Sequence, residues 1–527
     1  MLRKLRIAYK IPNVILYISV QRFVKTTGKA ATTEAAIACP HLLVGEISKT
    51  RRFNQIFGTP DHWGLFWYHI RNELWYLQHP QRAEITADPR SHNPYVIHGD
   101  DAPVSRRVGR NIRVLSWYSP FGEGQTLEKK MPCGIIANDQ ALKQYTEYKV
   151  KEAIAWSANA GAIGVHPSAP PPGQTLTKAL QAKAGQPITA NGTKLAFIGI
   201  TGDWEFQTND FTVPWGYSTE EICTKCYAKK SGPHNNFANA HRDADWSKRI
   251  RPLSEYIASM TNSEGDLVWN PMCAIRGFHT HGMWEDQVHA DMLGVRQHLN
   301  GSIIRDLAVE GTWGSMPPRG NWNDKLDTCL IPAYAEFCKW QKLNNQQCTQ
   351  PMFSSLKLSL HVATDPATLK AKAKNNTVVS RWLLDVVTKQ VDPSNELSMQ
   401  RYCCLWGFVT LFDIPEQIRP RFVFTESEVV ELEKARSAAL LGFYWLHKKS
   451  IECGRYGYNI TPKFHQVDEM IRRGLRTRIS WHLWWTFCSE SAMGNWAKLC
   501  GKSHGATIMR RPVERWVMGF WASRFVD

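Results

Sequence analysis

The period at which apolar residues recur changes several times along the chain, and each change predicts a different element. Residues 51–90 place Phe53, Phe57, Trp63, Phe66, Trp67, Ile70, Leu74, Trp75 and Leu77 at helical spacing, which predicts a packed helical pair. Over 95–120 the period shortens to two, and "YVIHGDDAPVS" and "IRVLSWYS" read as strand and turn. A polar, Pro- and Gly-rich stretch at 165–186 predicts a loop. The apolar run "KLAFIGITGD", residues 194–203, reads as a buried strand stopped by Gly202 and Asp203. From 217 to about 290 periodicity is weak. Long helical patterns then dominate, as in "SRWLLDVVTKQV" and "ESEVVELEKARSAALLGFYWLHKKS".

This order predicts an α/β domain, a mixed sheet with flanking helices, split by a large and mostly helical insertion. The expected segments are a basic arm and connector at 1–50, a helical segment at 51–94 and the first part of the core at 95–215. The helical block follows at 216–450, and a helical segment at 451–527 completes the core.

Composition bounds this picture. At 527 residues, 43% hydrophobic and 21% charged, the chain can bury a large core without disulfide support. Its 13 cysteines, an odd number spread over a long chain, point to a reducing compartment. A net charge of +17 favours a polyanionic partner, nucleic acid ahead of a membrane surface. No run reaches the roughly 18 apolar residues of a membrane helix, so no membrane partner is expected. The first 33 residues hold seven Lys/Arg and no acid. A mitochondrial presequence and a basic DNA-contacting arm both have that pattern. Among 22 tryptophans, Trp117, Trp204, Trp246 and Trp284 sit in polar sequence surroundings.

Candidate chemistry falls on a few short stretches. Asp100 and Asp101 follow a short apolar strand, and Asp203 follows another. Carboxylates converging from neighbouring strand ends would bind Mg²⁺ or Mn²⁺, hard cations that take oxygen ligands; the alternative is that GDD and GD are turns. Cys223 and Cys226 have zinc-knuckle spacing, with His279, His281, His289 or His465 as distant co-ligands, against the alternative of two free thiols. Asp286 and His289, three apart, are either a metal pair or a helix-start acid with its histidine. Glu490 opens a terminal helix, and Lys498, Lys502, Arg510, Arg511 and Arg515 downstream suit phosphate contacts.

Together these stretches resemble the DDE transposases of cut-and-paste DNA transposons, the CACTA-like group above all. "HGDDAPVS" with "VLSWYS" is similar to that family's first-acid segment, and "LAFIGITGDWEFQTNDFTVPWGYSTEEICTKC" to its second. "DQVHADMLGV" resembles its D-x-x-H-x-x-x-L-G element, and "TPKFHQVDEMI" and "WTFCSESAMG" its terminal histidine and third-acid segments. The resemblance implies an RNase H-like core in which Asp100 (or Asp101), Asp203 and Glu490 hold two Mg²⁺ or Mn²⁺ ions and cut double-stranded DNA at transposon ends. It also implies a homo-oligomer when active, a nuclear location, and structural Zn²⁺ on Cys223, Cys226 and His465. One departure is plain. Where the family has a second histidine, this chain has Glu469 and Met470, leaving Asp468 or Glu469 as an oxygen ligand. A partial or decayed copy, binding nucleic acid without cutting it, is the alternative.

Overall fold

A four-stranded mixed sheet organises the first of two units into which the chain divides. The computed structural model describes residues 11–105, 110–261 and 264–522; the side chains of Ser105, Leu127, Lys143, Gln144, Cys488 and Glu490 lie outside the described residues. The first unit combines residues through 214 with 251–284 and those from 486 on, and the second combines 215–250 with 285–485.

The first unit opens with a hairpin, β1 (Ile15–Val24) and β2 (Lys29–Ala38), turning at Gly28 with φ +65°. The expected arm is therefore folded from residue 15, and the inner half of β2 is fully buried. Helix α1 (Pro40–Ile47) follows, then α2 (Pro60–Ile70), started by Thr59 and Pro60 in a capping box with His62. α2 buries Trp63, Phe66 and Trp67, as the helical spacing predicts.

The sheet consists of β3 (His92–Ser105), β4 (Arg110–Tyr118), β5 (Met131–Ala137) and β6 (Lys194–Thr201), in the order β5-β4-β3-β6. β3, β4 and β5 pair antiparallel, and β6 joins β3 in parallel. The return to parallel needs a crossover, supplied by α3 (Tyr148–Ile163), which ends at Gly164 in the left-handed conformation. β6 is buried along nearly its whole length, which explains its continuous apolar run. Short helix α4 (Trp204–Asn209) follows it directly.

Residues 251–284, expected within the helical block, belong to the first unit. Met283 bridges Ile200 in parallel, and Trp284 Nε1 donates to the Ile198 carbonyl at 2.9 Å, so this irregular segment is laid along the free edge of β6.

Helices make the second unit: α5 (Arg296–Val309), α6 (Trp322–Leu343), α7 (Ala373–Gln390), α8 (Glu396–Gln417), α9 (Glu426–Glu452) and α10 (Lys463–Thr477). α8 and α9 form a close pair, with Gly407 against the backbone of Ala435 and Ala439. Residues 451–485, expected to complete the sheet domain, instead belong here, because α10 packs on α9. The chain then returns to the first unit with α11 (Phe487–Gly501), packed against β3, and α12 (Arg511–Ala522). Among the described residues no helix is long and apolar enough to cross a membrane.

Candidate functional site

The candidate residues fall in both units, and four of those in the second come together in one cluster. In the first, the register of β3 against β6 matters most. His98 lies opposite Thr201, and Asp100 and Asp203 each stand two residues further along. Asp100 is still on β3, whereas Asp203 lies just past the end of β6, so the register brings the two acids to the same end of the β3–β6 pair. Both are preceded by glycine for a steric reason. A Cβ on Gly202 (φ +153°) would lie 2.6 Å from the Gly99 carbonyl, and one on Gly99 would collide with the Phe206 ring. The two Gly-Asp pairs therefore allow a close approach that larger residues would prevent.

Asp203 is half-buried and begins α4, its Oδ1 accepting from the Phe206 amide at 2.7 Å. The turn reading thus holds locally as an N-cap. Asp100 and Asp101 differ sharply in surroundings. Asp101 accepts from Arg113 Nε at 2.9 Å, Arg113 Nη2 at 3.3 Å and Asn138 Nδ2 at 2.9 Å. Arg113 reaches on to Asp210 at 2.9 Å and Glu147 at 3.4 Å, and Asp210 meets Lys151 at 2.8 Å. Burial disfavours the Arg113 charge, but the hydrogen bond to Asp101 and the charges of Asp210 and Glu147 hold its pKa above the ordinary range. Asp101 is committed to that network, whereas Asp100, on the other face of β3, stands outside it and accepts from the Asp101 amide through Oδ1 at 2.8 Å. Arg113 carried no sequence signal beyond its place on an alternating strand. Glu490 lies on α11, and its side chain falls outside the described residues.

In the second unit Cys223, Cys226, His465 and Glu469 present four ligand atoms within 4.8 Å of one another, a group that could hold a metal ion. Cys226 Sγ lies 3.4 Å from His465 Nε2, and Glu469 Oε2 lies 3.6 Å from both His465 Nε2 and Cys223 Sγ. Tetrahedral zinc bonds of about 2.0–2.3 Å put ligand atoms about 3.3–3.8 Å apart, and these three separations are of that size. Sequence spacing explains each half. The Lys225 amide donates to Cys223 Sγ at 3.3 Å, closing the knuckle, and His465 and Glu469 are one helical turn apart on α10. Of the four histidines considered, His465 is the one in the cluster. His279 instead meets Gln78 at 3.0 Å.

Electrostatics favour an anionic centre. Burial alone would raise the Cys223 thiol, but the hydrogen bond from Cys226 and the His465 charge bring it down to about 6, whereas burial carries Cys226 well above its ordinary value. Trp246 packs edge-on against the His465 ring, with centroids 4.3 Å apart. Lys225, inside the knuckle, pairs with Glu285 and lies 3.3 Å from Glu469 Oε2, and Arg473 lies 3.6 Å from Glu285. Sequence reasoning missed this charged surround, although the lysine between the two cysteines was a visible sign of it. Asp468 faces Arg436 at 2.6 Å and Arg472 at 3.0 Å, so of the two acids considered Glu469 is the one in the cluster.

Asp286 Oδ2 lies 2.5 Å from His289 Nδ1 and also accepts from the His289 amide at 3.3 Å, the geometry of a helix-start acid with its histidine. Of the basic residues, Lys498 and Lys502 are exposed. Arg510 pairs with Glu34 at 2.5 Å, Arg511 with Glu514 at 3.5 Å, and Arg515 donates to the Leu499 and Lys502 carbonyls at 3.3 and 3.2 Å. Arg515 thus satisfies the C-terminal end of α11. Trp117, Trp246 and Trp284 are buried, so none of these three offers a base-stacking surface. No protein-family model matches the chain, and no curated protein matches it.

Proposed function

We propose that the protein is a DDE-type DNA transposase, or derived from one, with an RNase H-like core interrupted by the helical second unit. The observation that supports this reading is that Asp100 on β3 and Asp203, just past the end of β6, follow the same paired step of two parallel strands, His98 opposite Thr201. Three antiparallel strands, a crossover helix and a fourth strand parallel to the first agree with that fold, and α11 brings Glu490 to the same unit. Asp100, Asp203 and Glu490 would hold Mg²⁺ or Mn²⁺. Such ions, when bound, sharpen a water or 3′-hydroxyl as nucleophile and stabilise the leaving oxygen of a phosphodiester. The chain itself supplies oxygen donors fixed by strand register, and the Asp101–Arg113 pair keeps the neighbouring carboxylate out of the ligand set. Its excess of Lys and Arg would bind the phosphates of double-stranded transposon ends, in the nucleus and as a homo-oligomer, with affinity falling steeply with salt. Zn²⁺ on Cys223, Cys226, His465 and Glu469 would brace the helical unit.

A second reading, a nucleic-acid-binding protein of the same fold without catalysis, is favoured by one contact: Asp203 Oδ1 is engaged in capping α4. The test is Mg²⁺-dependent nicking of duplex DNA by wild type beside Asp100→Asn, Asp203→Asn and Glu490→Gln. The transposase reading expects each variant to keep DNA binding and lose nicking. Cleavage that persists in Asp203→Asn rejects the site, and binding with no nicking by wild type selects the second reading.

A further inference from the structure

The second unit contains an open cavity of about 690 Å³ that none of the residues above touches. Its wall comes from the C-terminal half of α6, the connection at 345–349 and the start of α7. No acidic residue lines it, while Lys342, Lys372 and Lys374 do. All three lysines are exposed, and none forms an ion pair among the described residues. In a chain that pairs many of its cations with acids, three unneutralised lysines around one hollow leave a local positive potential.

The rest of the wall is polar and donor-rich. Asn375 accepts from the Thr349 amide at 3.4 Å and donates to Gln350 Oε1 at 3.5 Å. Gln350, 3% exposed, stands behind Asn375 and holds it from outside the lining. α7 also begins here, with no side-chain cap from Lys372, and its 18 residues direct the positive end of the helix dipole at the same space. Tyr334 adds an aromatic ring to the lining. Volumes of about 300–1,000 Å³ suit a nucleotide-sized ligand.

We infer that this cavity is a phosphate-ester site that takes a nucleotide unit, with Lys342, Lys372 and Lys374 contacting the phosphate and the side-chain amide of Asn375 orienting it. The nucleotide comes either from a DNA strand or from a free nucleoside polyphosphate. The inference is independent of the carboxylates, because it concerns binding in a different unit and needs no cleavage.

The test measures binding of a fluorescent single-stranded oligonucleotide and, separately, of ATP, in buffer without added divalent metal. Full-length wild type is compared with K372A/K374A and with Lys389→Ala, a control whose lysine pairs with Asp385 further along α7. The double variant is expected to weaken at least one of the two probes by about tenfold or more, while the control leaves both unchanged. If the oligonucleotide is the affected probe, its salt slope should also shallow by about 1.4, about 0.7 per phosphate contact on a single strand. Loss of oligonucleotide binding assigns the nucleotide to DNA, and loss of ATP binding alone assigns it to a free nucleotide. A second readout uses Cys338 and Cys348, which line the cavity and are partly exposed. The bound probe should slow their alkylation and leave that of exposed Cys453 unchanged. Equal binding of both probes by wild type and double variant, or alkylation at equal rates with and without probe, overturns the site.

Discussion

The strand acids of the first unit and the thiol cluster of the second are both candidate metal sites, built in opposite ways. Asp100 and Asp203 are partly exposed carboxylates at the same end of two parallel strands. Cys223, Cys226 and His465 are buried, and α10 brings its histidine and glutamate to a knuckle more than 230 residues earlier. The first arrangement suits a hard cation that keeps waters and exchanges ligands. The second suits a softer ion enclosed on every side, whose loss removes folding energy.

Activity should separate them first. Asp203→Asn is expected to lower Mg²⁺-dependent nicking by about 10²-fold or more, because metal-centred charge stabilisation is worth several kcal/mol and each 1.36 kcal/mol is tenfold. DNA affinity, measured by filter binding, should change less than about twofold in the same variant, since phosphate contacts come from Lys and Arg. Cys226→Ser should behave in reverse. Zinc content by atomic spectroscopy should drop to background, and melting should fall by about 10 °C or more, from the loss of several kcal/mol of ligation. A zinc chelator should lower the melting temperature of wild type similarly and leave that of Cys226→Ser unmoved. If instead the chelator leaves wild type unchanged, the four side chains are a hydrogen-bonded cluster and the contrast fails.

A smaller effect tests the packing beneath the acids. Gly99→Ala drives a methyl group into the Phe206 ring, and overpacking of this kind costs typically about 1–3 kcal/mol. Calorimetry should show the loss. Nicking should fall beyond the loss in folded protein, because the displaced ring sits where β3 and α4 meet. Unchanged stability would mean that the close approach of the two Gly-Asp pairs is not needed.

The contrast also explains what the sequence revealed. The strands leading to Asp100 and Asp203 were legible because alternation and a continuous apolar run are local signals, whereas His465 and Glu469 were singled out only through the family resemblance. The choice between Asp100 and Asp101 was not, since it rests on Arg113 reaching Asp101, Asp210 and Glu147 from four separate places in the chain. The β1–β2 hairpin was hidden differently. β2 reads "KAATTEAAIA", rich in alanine, which has little strand preference, and the seven Lys/Arg of the first 33 residues suggested an arm. Lys225 and Glu285 meet only because the helical unit folds over the knuckle. The boundary at 251 depended on which segment covers the edge of β6, and that at 485 on α10 packing against α9, choices that periodicity does not encode.

The smallest expected effect concerns the double use of Asp203, as a helix cap and as a metal ligand. Asparagine caps about as well as aspartate, whereas alanine forfeits about 1 kcal/mol. Asp203→Asn should therefore unfold at nearly the wild-type urea midpoint, while Asp203→Ala should lose about 1 kcal/mol through the bond to the Phe206 amide. If the carboxylate serves only the cap, nicking should follow stability, with asparagine active and alanine impaired. If it also holds the ion, both variants should be equally inactive despite their different stabilities. An amide keeps the hydrogen bond that starts α4 but brings no negative charge to a divalent cation, so this pair of substitutions divides the two roles at one atom.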